Sequence, residues 1–231
     1  MYQVPALFSA AMLAISSPLA SAATPITCTC TSATLDDLVT CFQEHMVRKD
    51  AYSCTAYTDA QPKTTPTNEI TGWTDAITRL LNADGACSLP AGSTISGSYE
   101  VTSFTDSISL VSYCVLSEKN AVVLPGSIRN VFERGWGYFI APKTNSASIR
   151  ALHHSAPHTL NDDGTPAQAA AVFKATNSRS LLVAGRHRGA LDITRAPPPC
   201  AIDSCVSTEY TKSDPVHDLV RGSRVRCTTL T

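Results

Sequence analysis

Five of the six histidines in this chain, His153, His154, His158, His187 and His217, fall between residues 153 and 217. Carboxylates accompany them: Asp162 and Asp163 follow His158, and Asp214 and Asp218 bracket His217. Imidazole and carboxylate are the ligands that a catalytic zinc ion takes, typically three from the protein with water in the open position. The grouping nominates His158, Asp162, His187 and His217 as ligands for zinc or another divalent metal, with Asp214 orienting or activating the water. Arg186 and Arg188 flank His187, and their planar guanidinium forks suit a substrate carboxylate or phosphate. Plainer roles compete with these. Without a metal, a His–Asp pair orients a general base. Asp162 and Asp163, just ahead of Gly164 and Thr165, are also the residue types that turns and helix caps use. The two arginines also suit plain surface charge. Ser155 beside His154 lacks the Gly-x-Ser-x-Gly elbow of a hydrolase nucleophile. His153 is read as a histidine without function, and His45, on a helix, as a surface residue.

These residues need a scaffold, and the pattern around them supplies one. Residues 149–155 and 180–184 read as strands. Between them, residues 165–177 read as a helix with Thr165 as N-cap, Pro166 as first residue and Ala169, Val172 and Phe173 as its buried stripe. Strand, helix, strand in this order predicts a right-handed crossover between parallel strands. In open α/β sheets, ligands bind at the carboxyl ends of such strands. His158 and His187 would then share one rim, close to a helix N-terminus. Further strands are predicted over 107–118 and 135–140. Helices are predicted over 34–48, from the spacing of Leu35, Leu38, Val39, Phe42 and Met46, and over 71–83, from Trp73, Ile77, Leu80 and Leu81, with Gly85 as the stop. Residues 61–68 are predicted to be a polar, proline-bearing loop. The expected fold is α/β, a mixed sheet with at least one parallel βαβ crossover and a disulfide-stapled N-terminal helical region.

Residues 5–20 carry no charge and run into Ala20-Ser21-Ala22, the outline of a secretory signal over residues 1–22, although no Lys or Arg precedes Arg48. All nine cysteines (28, 30, 41, 54, 87, 114, 200, 205 and 227) follow it, so most are expected to pair in an oxidising medium. The odd count leaves at least one thiol free or bonded to another chain. Neither Cys28-Thr29-Cys30 nor the Cys200–Cys205 pair has zinc-knuckle spacing. No later stretch approaches the roughly 20 apolar residues of a membrane span. The net charge of −1 and pI near 6.6 give no reason to expect nucleic acid or anionic membrane as a partner. Residues 23–231 are expected to form one secreted α/β domain, comprising a helical Cys-rich part (23–105), a βαβ core (106–195) and an irregular Cys-containing tail (196–231).

Three segments taken together carry a resemblance. They are Ser155-Ala156-Pro157-His158 with Asp162, Thr165 and Pro166; Gly185-Arg186-His187-Arg188; and Ser213-Asp214-Pro215 with His217. With Gly135-Trp136-Gly137 and Tyr113-Cys114-Val115-Leu116, they resemble a family of uncharacterised secreted fungal proteins with bacterial relatives, over roughly residues 70 to 218. The resemblance implies a shared His/Asp site and no named reaction. Ligand chemistry points to an extracellular metal-dependent hydrolase acting on a small-molecule or peptide substrate. The alternatives are a non-catalytic secreted binding or effector protein, and a metal-free acid/base enzyme accessory to a secretory biosynthetic pathway.

Overall fold

Thr34 starts the first helix by a reciprocal cap: its hydroxyl accepts from Asp37 N (3.1 Å), and Asp37 Oδ2 accepts from Thr34 N (3.3 Å). The computed structural model describes residues 26–27, 30–49, 51, 66–82, 85–123, 129–157, 159–162, 164–187 and 190. In chain order its elements are β1 (Ile26–Thr27), α1 (Leu35–Glu44), α2 (Pro66–Leu81), β2 (Tyr99–Thr105), β3 (Ser112–Glu118), β4 (Asn120–Val123), β5 (Asn130–Phe132), β6 (Tyr138–Pro142), β7 (Arg150–Ala156), α3 (Thr165–Ala175) and β8 (Ser178–Val183).

Each helix departs from its predicted bounds for a local reason. Helix α1 ends at Glu44 rather than 48, because the chain beyond it turns to pair Val47 with Arg186. Helix α2 begins at Pro66, inside the predicted loop, at a position where proline's missing N–H costs nothing. The N-cap of α3 is Gly164, at φ 75, and Thr165 is already helical. Thr165 Oγ1 donates instead to Asp162 O (2.6 Å). The buried stripe of α3 is Pro166, Ala170 and Phe173, whereas Val172 is 46% exposed.

The main sheet is mixed, in the order β2-β3-β6-β8-β7, with β7 and β8 parallel and the other pairs antiparallel. Helix α3 makes the crossover between β7 and β8. The side-chain period of two sorts the apolar residues onto two faces. Cys114, Leu116, Phe139, Ala141 and Leu182 pack with Trp73, Ile77 and Leu80 of α2. Tyr113, Val115, Tyr138, Ile140, Leu181 and Val183 pack with Leu38 and Phe42 of α1 and Phe173 of α3. The result is a helix–sheet–helix sandwich in which each large buried side chain contributes roughly 1.5–3 kcal/mol. Strands β1, β4 and β5 form a separate small sheet.

Two disulfides lie among the described residues, Cys30–Cys41 and Cys87–Cys114. The first staples the segment ahead of α1 to that helix. The second, together with β2 pairing along the whole of β3, ties the N-terminal part into the sheet. Residues 107–110, predicted as strand, form a turn. Asp106 gathers it by accepting from Leu35 N (2.8 Å), Ile108 N (3.0 Å), Ser109 N (2.8 Å) and Ser109 Oγ (3.0 Å). Ile108 and Leu110 are left 82% and 76% exposed at its tip.

Candidate functional site

The parallel register of β7 and β8 decides where the predicted rim lies. Ala156 is opposite Val183, and beyond that pair Ala184 N donates to Ala156 O (3.0 Å). Thr159, fully buried, donates its hydroxyl to Ala184 O (2.9 Å). The loops after β7 and β8 therefore leave the same end of the sheet, side by side. Antiparallel pairing brings the start of β6, the end of β3 and the start of β2 to that end as well. Close backbone packing seals it. A Cβ on Gly137, at φ +102, would lie 1.9 Å from Val183 O, and one on Gly185 would lie 2.4 Å from Gly137 N.

At this end His187 is half-buried, its backbone pinned by His187 N to Val47 O (2.8 Å) and Ala190 N to His187 O (2.8 Å). Asp162 is exposed; Asn161 Nδ2 donates to its carboxylate (3.1 Å), and its carbonyl accepts from Thr165 N (3.2 Å). Asp162 thus also serves the entry to α3. Arg186 is turned inward, 6% exposed, with Nε donating to Arg134 O (3.0 Å) and Nη2 donating to the same carbonyl. Its stem lies over Gly135, where a Cβ would meet Arg186 Cγ at 2.9 Å. This placement makes Arg186 an internal strut rather than a surface fork for a substrate anion. His158, Arg188, Asp214 and His217 lie outside the described residues, as do Asp163 and the predicted signal sequence.

The other histidines have specific partners. His153 Nδ1 is 2.7 Å from Ser180 Oγ, and burial, with Arg179 and His154 nearby, lowers its pKa below the usual 6.5. His154 Nε2 is 2.8 Å from Ser178 Oγ. Both bonds run between β7 and β8 rather than into the rim. His45 is not the surface residue expected: it is half-buried, with Nδ1 3.1 Å from Asn130 O and its ring 5.9 Å from that of Phe132.

Sequence reasoning missed a buried acidic group at the same end. Glu118, the last residue of β3, is 2% exposed, and its carboxylate accepts from Arg134 N (2.6 Å) and Trp136 N (3.0 Å). Burial pushes its pKa up to about 7, against the pull of those two N–H groups and of Arg186, while Glu133 adds to the rise. Glu69 of α2 is 5% exposed and ion-paired with Arg134 (3.6 Å). Burial raises its pKa, Arg134 opposes, and Glu133 reinforces. Three rings pack beside them, with Trp73–Tyr99, Trp73–Trp136 and Tyr99–Trp136 centroids at 5.2, 6.2 and 6.3 Å. Trp136 Nε1 and Glu69 Oε2 are buried without a hydrogen-bond partner. The signal for Glu118 was present: it continues the alternation Cys114, Leu116, 118 on the α2 face, a charge at a core position. Glu69 likewise stands four residues before Trp73, on one helix face.

Among the described residues, one group of three His, Cys, Asp or Glu brings ligand atoms within 4.8 Å of one another: Cys30, Cys41 and His45, the two cysteines being joined as a disulfide. No helix among the described residues is long and apolar enough to cross a membrane. Comparison of the chain with family models, with curated proteins and with solved structures gave no match.

Proposed function

We propose that the chain is a secreted metal-dependent hydrolase whose reaction centre lies where β7 and β8 end together. The observation that supports this reading is the bonding of Ala184 to both Ala156 and Thr159, which brings the chain after β7 alongside the segment leading to His187. His158, Asp162, His187 and His217 hold the ion, and Asp214 orients the water. A divalent ion bound there would polarise a substrate carbonyl or phosphoryl oxygen and acidify that water. Arg188 is left to meet a substrate anion, because Arg186 is committed to Arg134 O. The resemblance to secreted fungal proteins rests on these same three segments. The charge-free leader and the disulfides support export.

A second reading, a metal-free acid/base enzyme, is favoured by Glu118, which carries a near-neutral pKa at the same end of the sheet. Elemental analysis of the mature protein from a secreting host separates the two. The hydrolase reading expects stoichiometric divalent metal in the parent and its loss in the His158→Ala/His187→Ala double variant. A parent free of metal, or unchanged metal in the double variant, contradicts it.

A further inference from the structure

A separate group, on the opposite side of the sheet from α2, has ligand chemistry of its own. Cys41 and His45 are spaced i, i+4 at the end of α1, so both side chains leave the same helical face. Cys30 reaches them from the segment ahead of the helix, and one ligand atom from each of the three lies within 4.8 Å of the others. The His45 Nδ1–H donating to Asn130 O (3.1 Å) would leave the lone pair on Nε2, the orientation device that ligating histidines use. Helix α1 has no basic residue in its last turn, so its carbonyl end favours a cation there. Cys30 and Cys41 are half-buried, as is Cys87 of the second disulfide among the described residues, whereas its partner Cys114 is only 3% exposed.

We infer that reducing the Cys30–Cys41 disulfide opens a thiophilic metal site, completed by His45, that takes Zn2+. A dithiol transfers two electrons and its two protons: the S–S bond breaks, two protein thiols form, and the dithiol leaves as its own disulfide. Zn2+ then displaces both thiol protons to solvent and accepts the imidazole lone pair; a tetrahedral ion leaves one position to water. The disulfide is the closed state of the site, and metal binding competes with its re-formation.

The test uses the full secreted chain, reduced with a dithiol that is then removed without oxygen, and titrated with Co2+ as a spectroscopic stand-in for zinc. A thiolate-to-cobalt charge-transfer band reports sulfur ligation, which imidazole and carboxylate ligands at the rim of β7 and β8 do not produce. The expected result is a band in the reduced parent that is weak in the oxidised parent, is abolished by adding Zn2+, and is lost in the Cys30→Ser/Cys41→Ser variant. His45→Ala, which keeps the disulfide for folding, is expected to weaken Co2+ binding by roughly tenfold or more. A band of equal strength in the double variant assigns it to other cysteines and overturns the proposal. An affinity unmoved by His45→Ala, or no band in the reduced parent, also overturns it.

Discussion

Asp106, buried at the hairpin end of the main sheet, and Glu118, buried at its rim end, are treated in opposite ways. At the hairpin end, burial pushes the Asp106 pKa up, but bonds from Leu35 N, Ser109 N and Oγ, and Ile108 N outweigh it and hold the group below the usual 3.8. At the rim end, Glu118 has two backbone donors and the Arg186 charge, and burial still wins, to about 7. The difference is one of donor count against desolvation. A carboxylate meant only to hold a turn is saturated with donors. One left short of them stays titratable near neutral pH, as groups at functional sites often are. The comparison marks the rim end as the one where stability has been given up.

Breaking the rim itself should have the largest effect. Gly137→Ala forces a Cβ onto Val183 O and a positive φ onto alanine, and is expected to cost more than about 4 kcal/mol, visible as lost secretion yield or a collapsed denaturation midpoint. A variant of near-parent stability would mean that β6 and β8 are not so closely packed. Next, Asp106→Ala strands its buried donors and is expected to cost about 3 kcal/mol by urea denaturation at pH 7. Because the folded pKa of Asp106 lies below its unfolded value, its contribution is present above about pH 4 and fades as pH falls through the folded value. Parent and variant should therefore converge in acid.

Glu118 sharpens the contrast because its sign is reversed. Its folded pKa is about 7 against 4.5 unfolded, so the native state binds the extra proton between these values. The Glu118 contribution to stability is full below 4.5 and falls as pH rises towards 7, by up to about 3 kcal/mol. Glu118→Gln should flatten that slope in urea titrations at pH 5 and 8; an unchanged slope would remove Glu118 as its source. The smallest effect is expected at the hairpin tip: Ile108→Ser/Leu110→Ser, at exposed positions, should change stability by no more than about 0.5 kcal/mol.

The crossover was legible because it is written locally, in strand–helix–strand order with a chiral rule that leaves one arrangement. Strands β7 and β8 do pair in parallel, with α3 between them in sequence. Strand β2 was not singled out because its sequence YEVTSFT is half-exposed at a sheet edge and carries a weak apolar alternation. The turn at residues 107–110 was hidden because Ile108 and Leu110 look like strand residues, and the Asp106 carboxylate that gathers the turn also accepts from Leu35 N, 71 positions away. The sequence offers Arg186 as a fork for a substrate anion or as a surface charge for a similar reason: its partner, the Arg134 carbonyl, is 52 residues upstream. Local pattern reads elements; it does not read which charges the packing of distant turns will enclose.

The central claim is that the loops after β7 and β8 serve one metal ion. Zinc affinity of the oxidised chain, measured by chelator competition for His158→Ala, His187→Ala and the double variant, tests it as a cycle. Two ligands of the same ion predict a large loss in each single variant, with the double variant losing far less than the sum of the two. Parent-like affinity in His187→Ala, or losses that simply add, would contradict it.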